Sequence, residues 1–143
     1  MPIEPRELCE FATQWSESKC DEAHLRASIS RAYYAIFHAY LPIAEYLPGT
    51  ARERKDASHI THEELIGRLF EWQVTGLHAR LNSLKRRVYA VAVAAEASRK
   101  ARVKADYKLE MEIEPVEARS QAGRARNLLR EAIVIKNEME RVA

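Results

Sequence analysis

Ser30-Arg31-Ala32-Tyr33-Tyr34-Ala35-Ile36-Phe37-His38 is the stretch on which the fold turns. Apolar residues recur through it at the helical period. Leu25, Ile29, Ala32, Ile36, Tyr40, Ile43 and Leu47 form one stripe, the pattern of a helix that buries a single face. A second stripe points roughly the other way. Arg31 and His38 are seven residues apart, His24 precedes Arg31 by seven, Tyr34 lies beside the same line, and small Ala27 fills the gap between His24 and Arg31. Such a helix packs with one seam and presents chemistry with the other.

Helical signals continue on both sides. Leu8, Phe11, Ala12 and Trp15 share one face of a first helix over about 4–15. Ser16, Ser18 and Asp21 offer caps for the second, over about 20–47. Pro42 predicts a bend or an early end there, and Pro48-Gly49-Thr50 a firm stop. Residues 49–58 are polar and read as a mobile loop. Thr61-x-x-Glu64 is a capping box for a short helix carrying Leu65, Leu69, Phe70 and Trp72. After Gly76 a long helix is predicted over about 77–103, with the seam Leu77, Leu81, Leu84, Val88, Val91, Ala95; the seam turns polar at Ser98. Its Ala-rich patch at 90–95 invites close approach of a neighbour. Residues 104–114 read as a connection, and Pro115 opens a last helix to about 141 with Ala118, Ala122, Ala125, Leu129, Ala132 and Ile135 inside. The expected fold is a single all-α domain over 1–143, an up-and-down bundle of about five helices.

Composition agrees. The chain has 143 residues, enough for one domain with its own core, and only 4 glycines and 5 prolines. The longest apolar run, Val88–Ala95, is too short to span a bilayer. The opening Met-Pro-Ile-Glu-Pro has no secretory pattern. Cys9 and Cys20 make no disulfide framework, so reduced thiols and a cytoplasmic location are expected. The formal charge of +2 conceals polarity. Residues 1–22 carry six acidic and two basic side chains; residues 79–108 carry nine basic and two acidic ones. The basic run, Arg80, Lys85, Arg86, Arg87, Arg99, Lys100, Arg102, Lys104 and Lys108, fits a solvated helix face or a phosphate-facing surface. It lacks zinc-finger spacing and the aromatic RNA-recognition signature.

Three motifs in order carry a family resemblance. Arg31-Ala32-Tyr33-Tyr34-Ala35-Ile36-Phe37 resembles the Arg-x-Tyr-Tyr-Ala-x-Phe signature of HEPN domains (higher eukaryotes and prokaryotes nucleotide-binding). His62-Glu63-Glu64-Leu65-Ile66 with Leu69-Phe70 is similar to the short His-containing helix that follows in that family, and Arg102-Val103-Lys104-Ala105-Asp106-Tyr107 to its later Arg-x-x-Ala-Asp-Tyr motif. The resemblance spans nearly the whole chain. It implies a helical bundle that forms a homodimer, a setting in toxin–antitoxin, phage-defence or RNA-processing systems, and a minimal nucleotidyltransferase as partner antitoxin. It also implies metal-independent RNA cleavage to a 2′,3′-cyclic phosphate in many members, from an Arg-x4–6-His motif on a late helix. In that chemistry Arg holds the scissile phosphate and His moves a proton.

The late motif here departs from that pattern. No His follows Arg102 at the required spacing; positions 107–109 are Tyr107, Lys108 and Leu109, and a phenol is a poor acid at neutral pH. Arg31…His38 meets an Arg-x6-His formula, on the earlier helix. Two readings stay open. In one, Arg31 and Tyr34 are architectural, Arg31 pairing with a carboxylate such as Asp106. In the other, Arg31, His38 and Arg102 build a composite site, with Tyr34, Lys85, Arg86, Arg87, Arg99 and Lys104 contacting RNA or a nucleotide and Tyr33, Asp106 and Tyr107 supporting it. Asp106 orients an arginine in either case.

The remaining candidates have plainer explanations. His59-x-x-His62 lacks metal-binding helical spacing and reads as capping or exposed. No metal or cofactor is expected. Cys9 and Cys20 read as inert. Phe11, Trp15, Phe37, Phe70 and Trp72 fall at core spacings, and Asp21 and Glu22 are placed to pair with His24 and Arg26. The functional alternatives are therefore an RNA-directed protein with ribonuclease activity, a non-catalytic adaptor that docks a nucleotidyltransferase or binds a nucleotide, and an oligomerisation module.

Overall fold

Pro5 opens the first helix, where a missing N–H leaves no bond unmade. This helix, α1, spans Pro5–Trp15, and α2 spans Glu22–Tyr46. Then come α3, His62–Phe70, α4, Lys85–Tyr107, and α5, Pro115–Val142. The computed structural model describes residues 3–17, 19, 21–46, 61–71 and 84–142, among which there is no strand. The fold is an all-α bundle. The expected loop at 49–58 lies outside the described residues, as do Cys20, Leu47, His59, Trp72, Gly76, Leu77, Arg80 and Leu81.

Local chemistry sets the helix ends. Of the three cap candidates before α2, Asp21 takes the role: its Oδ1 accepts the His24 N–H at 3.0 Å, while Ser16 Oγ donates to the Thr13 carbonyl of α1. Thr61 Oγ1 accepts the Glu64 N–H at 3.2 Å, the bond the capping box predicts. α2 does not stop at Pro42 but runs on to Tyr46. The proline removes one internal bond, to the His38 carbonyl, and the apolar seam continues past it through buried Ile43 and Ala44.

The four longer helices alternate in direction. Ser28 Oγ of α2 donates to the Ala12 carbonyl of α1. Tyr34 of α2 meets Arg102 of α4, and Ser30, a turn earlier, meets Asp106, a turn later. α4 and α5 are clasped antiparallel by Arg87–Glu131 and Lys104–Glu117. Short α3 packs on α2 and α4, with His62 against Tyr33 and Phe70 against Tyr89. Leu25, Ile29, Ala32, Ile36, Tyr40 and Ile43 are buried, as the α2 stripe predicts. Each large aliphatic among them contributes about 1.5–3 kcal/mol. Leu84, at the cap of α4, and Val88, Val91, Ala95 and Ser98 within it are buried too, Ser98 bonding Gln121 at 3.2 Å. Phe11 and Phe70 depart from expectation: they are 41% and 37% exposed. Each rests on another ring, Trp15 and Tyr89 respectively, at the bundle surface.

α4 also runs four residues beyond its predicted end at 103, to Tyr107. Ala105 is buried, and Arg102 pairs with Asp106 one turn on. Arg26, from α2, then binds the end of the helix. Its guanidinium donates to the carbonyls of Lys104, Ala105, Lys108, Leu109 and Met111. Glu22 Oε1 accepts from both Arg26 and the Ile113 N–H. This joint fixes the 108–114 connection and sets the register of α4 against α2.

Candidate functional site

The register set at that joint places Arg102 against the Tyr33-Tyr34 pair of α2. Arg102 Nη2 donates to the Tyr34 hydroxyl at 2.9 Å. Its Nε lies 3.1 Å from Asp106 Oδ2, an ion pair that falls outside hydrogen-bond geometry. The guanidinium carbon sits 5.9, 5.4 and 5.6 Å from the ring centres of Tyr33, Tyr34 and Tyr107, within cation–π range. The Arg102 side chain is 13% exposed.

α3 adds His62, whose spacing reads as capping or exposed and whose motif resembles the family's short helix. His62 is half-buried, with its ring 4.4 Å from Phe37 and its Nδ1 2.7 Å from the Tyr33 hydroxyl. Burial pulls its pKa below the ordinary histidine value, and the positive charges of Arg102 and Arg99, with His38, pull the same way. Burial also pushes the Tyr33 phenol well above its ordinary range. A phenol that keeps its proton donates to Nδ1, which leaves the proton of a neutral His62 on Nε2. His38 completes the group: it is exposed, with its ring 5.3 Å from Phe37 and 6.4 Å from Tyr34.

Of the composite Arg31, His38 and Arg102, the structure gathers Arg102 and His38 around Tyr34. Arg31 lies one turn before Tyr34, exposed, with no ion pair among the described residues. The architectural pairing of Arg31 with Asp106 is not made, because Asp106 faces Arg102 and Ser30. His24 leaves the polar stripe: it holds Asp21 at 2.7 Å and stands edge-on to Trp15. Tyr107 is 69% exposed and gives Arg102 its outer ring. Asp106 pairs with Arg102.

The basic run is not one continuous phosphate face. Arg87 holds Glu131 at 2.6 Å, Lys104 holds Glu117 at 3.0 Å, and Arg99 grips both oxygens of Glu96. Glu96 is held below its usual range chiefly by that Arg99 hydrogen bond. Lys85 and Arg86 are exposed at the start of α4, where no acidic residue stands in the first turn. Around the Tyr34–Phe37 face Arg31, Arg99 and Arg102 stand among the carboxylates of Glu96 and Asp106, with Glu63 also near Arg99. Among the described residues no cluster has the make-up of a metal site.

The depressed His62 pKa gives a testable pH dependence. The unfolded chain takes up this proton near pH ~6.5, the folded chain only at lower pH. The contribution of His62 to stability is thus complete above about pH 6.5 and is lost as pH falls from there through the folded pKa. The melting temperature of wild type is expected to fall more between pH 7.5 and 5 than that of His62→Gln. Parallel profiles would show that His62 does not titrate against the fold.

No family model, curated protein or solved structure matches this chain. The fold class and this side-chain cluster therefore carry the functional argument. No helix among the described residues is long and apolar enough to cross a membrane.

Proposed function

We propose that this chain is a HEPN-like component of a toxin–antitoxin or phage-defence system that binds RNA through the Arg102 face. The observation that carries this reading is Arg102 itself, a guanidinium within cation–π range of three tyrosine rings and held by the Tyr34 hydroxyl, with His38, His62 and Arg99 around it. A preorganised, partly desolvated guanidinium is suited to a phosphate oxygen. Exposed Arg31, which holds no ion pair among the described residues, adds a cation for phosphate.

A second reading, metal-independent RNA cleavage on the same face, draws on the two histidines. His62 is neutral near pH 7, and with Nδ1 taken by the Tyr33 hydroxyl it offers an Nε2–H donor to a phosphate oxygen. Exposed His38, beside Phe37, is the group left to move a proton. In this reading His38 takes the part of the missing late-helix histidine, and dimerisation brings two such faces together.

The test is a labelled single-stranded RNA incubated with purified protein in excess EDTA, scored for binding and for cleavage. Binding that weakens as salt rises, and is lost in Arg31→Gln/Arg102→Gln of verified fold, is the expected result. Cleavage to 2′,3′-cyclic ends, lost in His38→Ala and His62→Ala while binding persists, would establish the second reading. RNA neither bound nor cut, where a control ribonuclease acts, would sink both and favour an adaptor that docks a nucleotidyltransferase.

A further inference from the structure

A second feature lies about 20 Å along α4 from Arg102, thirteen residues back at 1.5 Å each. Phe70, the last residue of α3, stands edge-on to Tyr89, ring centres 5.5 Å apart at 77°. Both rings are exposed, Phe70 by 37% and Tyr89 by 55%. Together with buried Leu69 and the side chains of Lys85 and Arg86 they line a cavity of about 360 Å³, near the lower end of the size range of small-ligand sites.

The two cations are what set this cavity apart. Arg87, Arg99, Arg102 and Lys104 of α4 each hold a carboxylate. Lys85, Arg86 and Lys100 are exposed and hold none among the described residues, and of these Lys85 and Arg86 line the cavity. Two cations left to solvent, beside a pair of aromatic faces the core does not use, match what a nucleotide offers. A base has a flat π-face to lay on Tyr89 or Phe70, and its phosphate can sit between Lys85 and Arg86.

We propose that the Phe70–Tyr89 pocket is a nucleotide subsite, which stacks one base of a single-stranded RNA and holds the adjoining phosphate on Lys85 and Arg86. The proposal rests on the Arg102 reading and extends it, because opposite ends of α3 border the two sites. α3 runs antiparallel to α4, with His62 at the Arg99–Arg102 end and Phe70 at the Tyr89 end. A strand crossing α3 and α4 would meet the phosphate-binding guanidinium at one end and the stacking shelf at the other. Stacking tolerates any base, so the subsite adds affinity and fixes polarity along the strand without reading sequence.

The experiment measures binding of a labelled twelve-nucleotide single-stranded RNA by fluorescence anisotropy, over a salt series. Tyr89→Leu, which keeps apolar bulk but removes the ring, is expected to weaken binding about tenfold, and Tyr89→Trp to preserve it. Lys85→Gln/Arg86→Gln is expected to reduce the slope of log K against log salt by about 0.7, the contribution of the one phosphate no longer neutralised. Double-stranded RNA, whose bases are already stacked, should compete poorly for the wild type. Arg102→Gln serves as the separate probe of the other site. If Tyr89→Leu binds as wild type while Arg102→Gln does not, the subsite is overturned and the Arg102 reading stands. If Arg102→Gln binds as wild type and Tyr89→Leu does not, the subsite survives alone. Wild-type protein that binds no RNA overturns both. Polyglutamate competing as well as single-stranded RNA would reduce the pocket to a basic surface and overturn it too.

Discussion

Arg26→Ala is expected to lower the melting temperature by about 10 °C, the equivalent of about 3 kcal/mol for a domain of this size. The side chain is 12% exposed and reaches five carbonyls at the end of α4 and in the connection that follows. The last four carbonyls of a helix have no partner within it. Removing their donor leaves some half-buried without replacement, at about 1–3 kcal/mol for a group fully orphaned. The positive charge at the negative end of the α4 dipole is lost as well. Arg26→Lys should recover less than half, because a single ammonium cannot reach carbonyls on both sides of the turn. Glu22→Gln should do less harm, since the Arg26 bonds to the carbonyls survive it. Thermal melts followed by circular dichroism decide the matter. A shift below about 2 °C for Arg26→Ala would mean that water serves those carbonyls as well as the guanidinium does.

The contrast between Arg26 and the α2 stripe shows what could be read without a structure. Leu25, Ile29, Ala32, Ile36, Tyr40 and Ile43 all lie inside because burial of a helix face is written in a period of 3.6, and period is local. Asp21 and Thr61 were legible for the same reason: a cap bonds within three residues of itself. Long-range partners leave no such trace. The extension of α4 to Tyr107 depends on Arg26, some eighty residues earlier in the chain. The basic run looked like a face because its neutralising partners, Glu117 and Glu131, stand on another helix. His62 followed a clear cap and carried no sign that its ring would meet Phe37 and Tyr33. Arg102 was legible as a candidate from its motif, and its aromatic surroundings were not, since they come from two different helices.

Under the proposed function Arg102 has a second job, and the two jobs separate in one experiment. Arg102→Ala is expected to weaken RNA binding by about 10²-fold, the scale of one charge-assisted hydrogen bond of about 1.5–3 kcal/mol. It also removes the partner of Asp106 and the donor to Tyr34, so some stability goes with it. Arg102→Lys is the informative comparison. It keeps the charge beside Asp106, and hence most of the fold. It loses the flat fork that stands within cation–π range of the Tyr33, Tyr34 and Tyr107 rings while donating to the Tyr34 hydroxyl. If Arg102 grips a phosphate through a guanidinium oriented by those rings, Arg102→Lys should melt near wild type yet recover little of the RNA affinity. Tyr34→Phe, which removes only the orienting hydroxyl, should weaken binding a few-fold with the salt slope unchanged, because the number of cations on the phosphates is the same. Full affinity in Arg102→Lys would reduce this residue to a point charge. Loss of stability in step with affinity across all three variants would make it a structural strut, and Arg31 would then be left as the cation that meets RNA.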